Sequence, residues 1–288
     1  MLRAALVACT LLAICVPARA DRIGPITSTV ERALRAPVVV VGKVTSIEKD
    51  TIDAPVYPGA TNKVAHTIAV VKIESGLAGA ENLTHIKVGF VTPAAEKVAG
   101  IRPGRGLENP ELKEGQEWLF FLTKNADGGF HAIPYMLPPV ESKAADYKAQ
   151  VESVKKVLAA VADPAKALKA EKAEDRFNAA IAIIYKLRTA PEGTRGELEN
   201  VALTADESRP ILKALAEGTW KTEPAGRTLN GFSAFAMLGI GAADGWKSPA
   251  AAPGHDFLEL NRQAFAKWLD GPGKDYRIKK FVPKPAKK

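Results

Sequence analysis

Along this chain apolar side chains recur at every second position up to about Ile133, and at every third or fourth position from Tyr147 onward. A period of two puts alternate side chains on opposite faces of a strand, whereas a period near 3.6 gathers them on one face of a helix. The first regime is organised around VVVVGKVTSIE, residues 38–48. Its four consecutive valines are β-branched and fit a pleated strand. A run without alternation implies that both faces of the strand are covered. Gly42 inside it marks a bulge or bend. Further strands are predicted over 66–74, 85–91, 117–123 and 130–133. In the first of these, Thr67, Ala69, Val71 and Ile73 share one face, and His66, Ile68, Val70 and Lys72 the other. In the next, Ile86, Val88 and Phe90 face inward, with His85 and Lys87 outward. The stretch EWLFFLT at 117–123 again predicts coverage on both faces. Residues 51–63 and 100–115 predict long loops, 125–129 a tight turn, and 93–99 one or two helical turns.

Helical spacing accounts for the rest. A short helix over 27–36, capped by Thr27 or Ser28 and stopped by Pro37, precedes the first strand. After Pro138-Pro139, the stripe Tyr147, Val151, Val154, Leu158, Val161 predicts a helix. Asp163-Pro164 is a cap followed by a first-turn proline, and Phe177, Ala180, Ile181, Ile184 and Leu187 form the next stripe. Another helix is predicted over 194–203. Thr204-Ala205-Asp206-Glu207 has the capping-box pattern ahead of Ile211, Leu212 and Leu215, and Gly218 closes that helix. Helices over 229–240 and 255–269 follow, the last with Phe257, Leu260, Ala264 and Trp268 on one side and Asp256 at its positive end. Residues 276–282 predict an extended segment docked on these helices, and 283–288 a disordered end.

These elements predict an α+β protein of two unlike bodies. Over 21–140 the count and order of strands is that of a five-stranded oligonucleotide/oligosaccharide-binding (OB) β-barrel. Over 141–274 an all-α helical bundle or short α-solenoid is expected, followed by a basic tail over 275–288. The stretch APVVVVGKV at 36–44 is similar to the first strand of netrin-like domains, the family of tissue inhibitors of metalloproteinases. HTIAVVKI at 66–73, with Leu77-Ala78-Gly79 after it, resembles that family's second strand and turn. LKEGQEWLFFL at 112–122 resembles a later strand of the family. The uneven helices that follow resemble degenerate HEAT-like repeats. The first resemblance implies an OB fold for about residues 22–140. In that family a mature amino-terminal cysteine chelates the target's zinc and disulfides tie the barrel. The expected mature chain here has neither, so the resemblance implies the fold and not that inhibitory mechanism.

Composition narrows the setting. The chain has 288 residues, 47% hydrophobic and 25% charged, a globular balance. Arg3, the apolar stretch 4–16 and Ala18-Arg19-Ala20 have the layout of a signal peptide over 1–20, leaving Asp21 first. The apolar stretch is shorter than the roughly 20 residues that a membrane span needs. Ile14 is too large to precede a lipidated Cys15. Both cysteines, Cys9 and Cys15, fall in the leader, so the expected mature chain relies on core burial without disulfides. Loss of Arg3 and Arg19 leaves 38 of the 40 basic residues against 32 acidic ones, and the net charge falls from +8 to +6. On an exported chain, periplasmic or extracellular, that excess speaks for surface solvation or weak attraction to acidic polymers, and nucleic acid is not an expected partner.

No catalytic residue, metal ligand or cofactor is expected. His66, His85, His131 and His255 have no zinc-ligand spacing, and strand register places the first three toward solvent. There is no G-x-S-x-G, and the glycines at 100–106 lack the Lys-Ser/Thr of a phosphate loop. Trp220 and Trp246 are expected to cap the helical core. The best binding candidates are the two long loops, where Tyr57 offers an aromatic platform and Arg102 and Arg105 offer guanidinium forks. The expected function is an exported, non-enzymatic interaction protein that binds a protein or glycan through barrel loops. No transmembrane segment is expected after cleavage. The basic tail is expected to be solvated, with weak contact to membranes or acidic polymers as its alternative role. Two other classes stay open: an envelope hydrolase or metal-dependent enzyme with a site between the bodies, and a passive envelope component.

Overall fold

The computed structural model describes residues 28–55, 60–92, 110–125, 127–134, 137–190, 194, 197–220, 229–250, 254 and 256–284. The expected leader, the helical turns at 93–99 and residues 285–288 of the tail lie outside the described residues. The fold is mixed α and β, a large sheet in the first half and, among the described residues, seven α-helices.

Helix α1 (Thr29–Arg35) opens with a full capping box: Ser28 Oγ accepts from Glu31 N and Glu31 accepts from Ser28 N. Strand β1 (Val38–Ile47) follows at once. It pairs antiparallel with β3 (Lys63–Ala78) on one side and with β5 (Glu117–Asn125) on the other. β3 pairs antiparallel with β4 (His85–Phe90), β4 pairs parallel with β6 (Phe130–Ala132), and β6 pairs antiparallel with β5. The pairings therefore return to β1. β2 (Ile52–Pro55) and β7 (Val140–Glu141) join at the side, on β3 and β5.

The unbroken valine run is explained by two cores, one on each side of β1. Val38, Val40 and Val44 pack inward with Ala69, Val71, Ile86, Val88, Trp118, Phe120 and Leu122. Val39 and Val41 pack outward with Leu119, Phe121, Leu137 and Val140. That outer layer is closed by Ala33 and Ala36 at α1 and by Tyr147, Val151, Val154 and Leu158 of α2 (Tyr147–Ala162). Burying each such side chain contributes about 1.5–3 kcal/mol. The pairing of β1 with β3 slips at Val39/Val40, Val41/Gly42 and Val44/Ser46, so the bend expected at Gly42 is present. A Cβ there would lie 2.6 Å from Val71 Cγ1 and 2.8 Å from Lys72 O, a space only glycine fits.

Beyond α2 come α3 (Pro164–Ala167), α4 (Ala173–Arg188), α5 (Ala205–Glu217), α6 (Gly231–Leu238) and α7 (Phe257–Asp270). Asp163, Thr204, Asn230 and Asp256 cap the amino ends of α3, α5, α6 and α7 with side-chain bonds, and α4 has no such cap. They enclose an aromatic core in which Trp220, Phe235, Phe265 and Trp268 contact one another's rings in a chain.

The second half is not all helix. The helix expected over 194–203 gives way to β8 (Leu198–Ala202), paired antiparallel with β9 (Lys279–Pro283). Leu198, Val201 and Ala202 have a spacing that suits a helix, but five residues of pattern are too few to decide. The decision comes from a partner about 80 positions away. It also draws the first part of the expected basic tail into a strand, with Lys284 Nζ 2.6 Å from Glu197 Oε2.

Candidate functional site

The two long loops are rooted in the sheet, and their roots are the described part of the expected site. Tyr57, Arg102 and Arg105 themselves lie outside the described residues. The first loop stands on the pair Pro55↔Lys63, where β2 leaves β3. Asn125 Nδ2 donates to Pro55 O at 3.2 Å and ties that root to the end of β5. β2 was not legible in the Pro-rich stretch 51–63. It forms because its Ala54 packs with Ile68 and Phe130 in a small core of their own, flanked by Ile52 and Ala132.

The second loop re-enters the sheet through Leu112, which is buried in the inner core. Gly115 N donates to Val44 O and Val44 N to Gln116 O, both at 2.8 Å. Glu114 Oε1 accepts from Ile47 N at 3.3 Å, and Gln116 Oε1 accepts from Lys113 N at 2.8 Å. The last residues before β5 are thus held to β1 by backbone bonds.

The outward side of β3 and β4 is covered at one end, where Ile68 packs with Ala54 and Phe130, and faces water at the other. Lys72, His85 and Lys87 are exposed there, with Lys72 opposite His85 and Val70 opposite Lys87. Lys87 Nζ lies 2.7 Å from Glu48 Oε1, an exposed pair that contributes little energy. This side contrasts with the outward side of β1 and β5, which α1 and α2 seal.

The histidines separate. His85 is exposed, as strand register predicts. His66 corrects the expectation, for it is 2% exposed. Ile52 of β2 pairs beside it, its ring is tilted 5.0 Å from that of Phe130, and its Nδ1 is 2.9 Å from Val64 O. Burial pushes its pKa down, against the opposing pull of the Val64 and Ile52 carbonyls and of Asp53. His131 is half-buried and is also pushed down, by burial first and then by Lys124. His255 lies outside the described residues. Among the described residues no three His, Cys, Asp or Glu side chains converge to hold a metal.

Phe130 seats against two glycines. A Cβ on Gly89 would lie 2.2 Å from its ring, and one on Gly128 2.1 Å. Gly128 belongs to the same turn as Phe130, but Gly89 comes from β4, and that half of the seat has no sequence pattern to announce it.

In the helical half the polar groups near the tryptophans are satisfied internally. Trp220 Nε1 donates to Leu215 O at 3.0 Å, Trp268 Nε1 to Asp244 O at 2.9 Å and Trp246 Nε1 to Ser248 Oγ at 3.3 Å. Trp220 and Trp246 are buried, in keeping with a core-capping role.

The two halves meet across α1. Arg32 Nη1 donates to Pro138 O, Arg32 Nη2 donates to Thr29 Oγ1 at 3.3 Å, and the guanidinium lies 5.3 Å from the Phe121 ring centre. Lys186 Nζ, on α4, donates to Leu34 O at 2.6 Å, satisfying a carbonyl of the last turn of α1. Burial pushes both cations' pKa down. These are structural contacts: Arg32 and Lys186 each donate to a backbone carbonyl, and the rest of the Arg32 guanidinium meets Thr29 Oγ1 and the Phe121 ring.

Compared with known proteins, the chain matches no family model, and no curated protein is significantly similar to it.

Proposed function

We propose that this chain is an exported, non-enzymatic interaction protein in which an OB-like barrel of five strands presents one open face and its rim loops to a protein or glycan. The barrel reading is supported by the pairing circuit β1–β3–β4–β6–β5–β1 with its single parallel step at β4–β6. Barrels of this kind bind ligands on one strand face flanked by loops. The observation that carries the binding role is the asymmetry of the sheet. One outward side is sealed by helices, and the other is open over the end of β3 and β4 that carries Lys72, His85 and the Glu48-paired Lys87. Arg102 and Arg105, expected in the second loop, would add cationic forks and Tyr57 in the first an aromatic platform, so the favoured ligand is acidic: a carboxylated or sulfated glycan, or an acidic protein surface.

The test is a pull-down from an envelope fraction, with binding to immobilised acidic glycans measured in parallel. The full chain is compared with a form lacking residues 103–106 and with the Lys72→Glu, Lys87→Glu double variant. Capture is expected to fall about tenfold or more in both variants. Undiminished capture by both would refute the assignment of this face.

A further inference from the structure

The ribbon of β8 and β9 has two outer edges, and they are built differently. Leu203 N donates to Ile278 O at 2.8 Å and Lys284 N to Glu197 O at 2.9 Å. With the register Leu198↔Pro283 through Ala202↔Lys279, these bonds set the parity of the ladder. Glu197, Glu199, Val201 and Leu203 turn their backbone groups toward β9, and Leu198, Asn200 and Ala202 turn theirs away. On β9 the outward set is Lys279, Phe281 and Pro283. Arg188 Nη1 occupies Lys279 O at 3.0 Å, the Arg188 guanidinium lies 4.2 Å over the Phe281 ring, and Pro283 has no N–H to offer. That edge is blocked against another strand. Arg188 Nη1 also donates to the Asn200 side-chain Oδ1 at 2.7 Å, but the outward backbone groups of β8 have no such device among the described residues. Its sequence, Leu-Glu-Asn-Val-Ala, has no proline and no lysine, and no further strand flanks it among the described residues. Val201, on its solvent face, is 37% exposed.

We infer that the free edge of β8 pairs with the same edge of a second copy of this chain, antiparallel about a two-fold axis at Asn200. In that register Leu198 meets Ala202 of the partner subunit and Asn200 meets the partner's Asn200. All five residues of the strand are used and about six ladder bonds form. Glu199 stands opposite Val201 of the partner subunit, so no like charges face one another. Sliding the axis to Glu199 would set it opposite the partner's Glu199, and sliding it toward Ala202 shortens the ladder. The strand is thus self-complementary in one centred register, which selects an isologous dimer with a four-stranded sheet across it. This inference is independent of the barrel reading.

Sedimentation equilibrium of the full chain up to about 100 μM is expected to show the mass doubling with concentration. Asn200→Pro removes the outward N–H at the axis and leaves the β9 ladder intact, because that N–H does not face β9. By symmetry two ladder bonds are lost, and self-association is expected to weaken about tenfold or more. Asn200→Ala keeps the N–H and is expected to dimerise like the natural chain. With Cys9 and Cys15 changed to serine, Asn200→Cys is expected to give a disulfide-linked dimer on oxidation, since directly opposed Cα atoms about 5.5 Å apart suit a disulfide. A natural chain that stays monomeric throughout overturns the inference, as does a dimer that Asn200→Pro leaves unchanged. Should circular dichroism show that Asn200→Pro does not fold, the cysteine variant decides, and absence of its covalent dimer is a refutation.

Discussion

Val39 and Val40 are neighbours on one strand whose side chains enter different cores. Val39 joins the outer layer with Phe121 and Val151, and Val40 joins the inner core with Phe120 and Val71, each fully buried. Threonine has nearly the shape and strand preference of valine, so Val→Thr changes polarity with little change of volume. Each substitution places a hydroxyl where the surrounding side chains are apolar. The cost of burying it without a partner is about 1–3 kcal/mol. With a urea dependence of about 3 kcal/mol per molar, each variant's unfolding midpoint should fall by about 0.3–1 M. Lys43→Thr, at the exposed position three residues on, should stay within about 0.5 kcal/mol of the natural chain. The assay is urea unfolding followed by far-UV circular dichroism. Trp118 fluorescence serves as a local probe, in a background where Trp220, Trp246 and Trp268 are phenylalanine. A strand with one wet face would tolerate one of the two valine substitutions. If Val39→Thr unfolds with the natural midpoint while Val40→Thr does not, the two-core account of β1 is wrong.

Other outcomes follow from single contacts. His66 and His131 both have pKa values pushed below the ordinary 6.5 in the folded chain. The unfolded chain therefore takes up protons first, and stability should be lost as pH falls through 6.5. In pH-dependent urea titrations His66→Phe should flatten part of that slope, and an unchanged slope would show that His66 is not buried neutral. Gly89→Ala should destabilise the sheet by several kcal/mol, because its Cβ would sit 2.2 Å from the Phe130 ring. Adding Phe130→Leu should restore part of the loss, and a double variant no better than Gly89→Ala would place the clash elsewhere. Arg188 Nε donates to Met237 O at 2.8 Å and Nη1 to Asn200 Oδ1 at 2.7 Å, besides its contacts with Lys279 O and Phe281. Arg188→Met should cost about 2–3 kcal/mol and speed amide exchange in β8 and β9 before any other element, as hydrogen-exchange mass spectrometry would reveal.

How much of this was legible beforehand varies with the range of the interaction that decides it. β1 and β5 were readable because a strand buried on both faces must be apolar at consecutive positions, and Val38–Val41 and Trp118–Leu122 are. The helices capped by Ser28, Thr204 and Asp256 were readable because a cap is a local bond within three residues. β2 carries no pattern of its own, being a four-residue strand that ends in Pro55, and it exists through the contact of Ala54 with Phe130, 76 positions away. For the candidate site, the loops and the alternation of Lys72, His85 and Lys87 were legible, but the burial of His66 was not, since the element that pairs beside it was itself unpredicted.

By itself, then, the sequence determined the long strands and most of the helices, where those helices begin, and that β1 and β5 lie between two apolar layers. Those outcomes depend on side-chain period and on bonds between near neighbours, which the linear order of residues already specifies. The tertiary structure alone decided that α1 and α2 form the layer over β1, that β2 pairs beside His66 and Phe130 packs on its ring, and that residues 198–202 become a strand instead of a helix. The helices α1 and α2 keep their local conformation and only their docking is tertiary, but in β2 and β8 a segment with weak local preference adopts the conformation demanded by a distant partner, and the free energy of that contact exceeds the few tenths of a kcal/mol per residue by which local propensities differ.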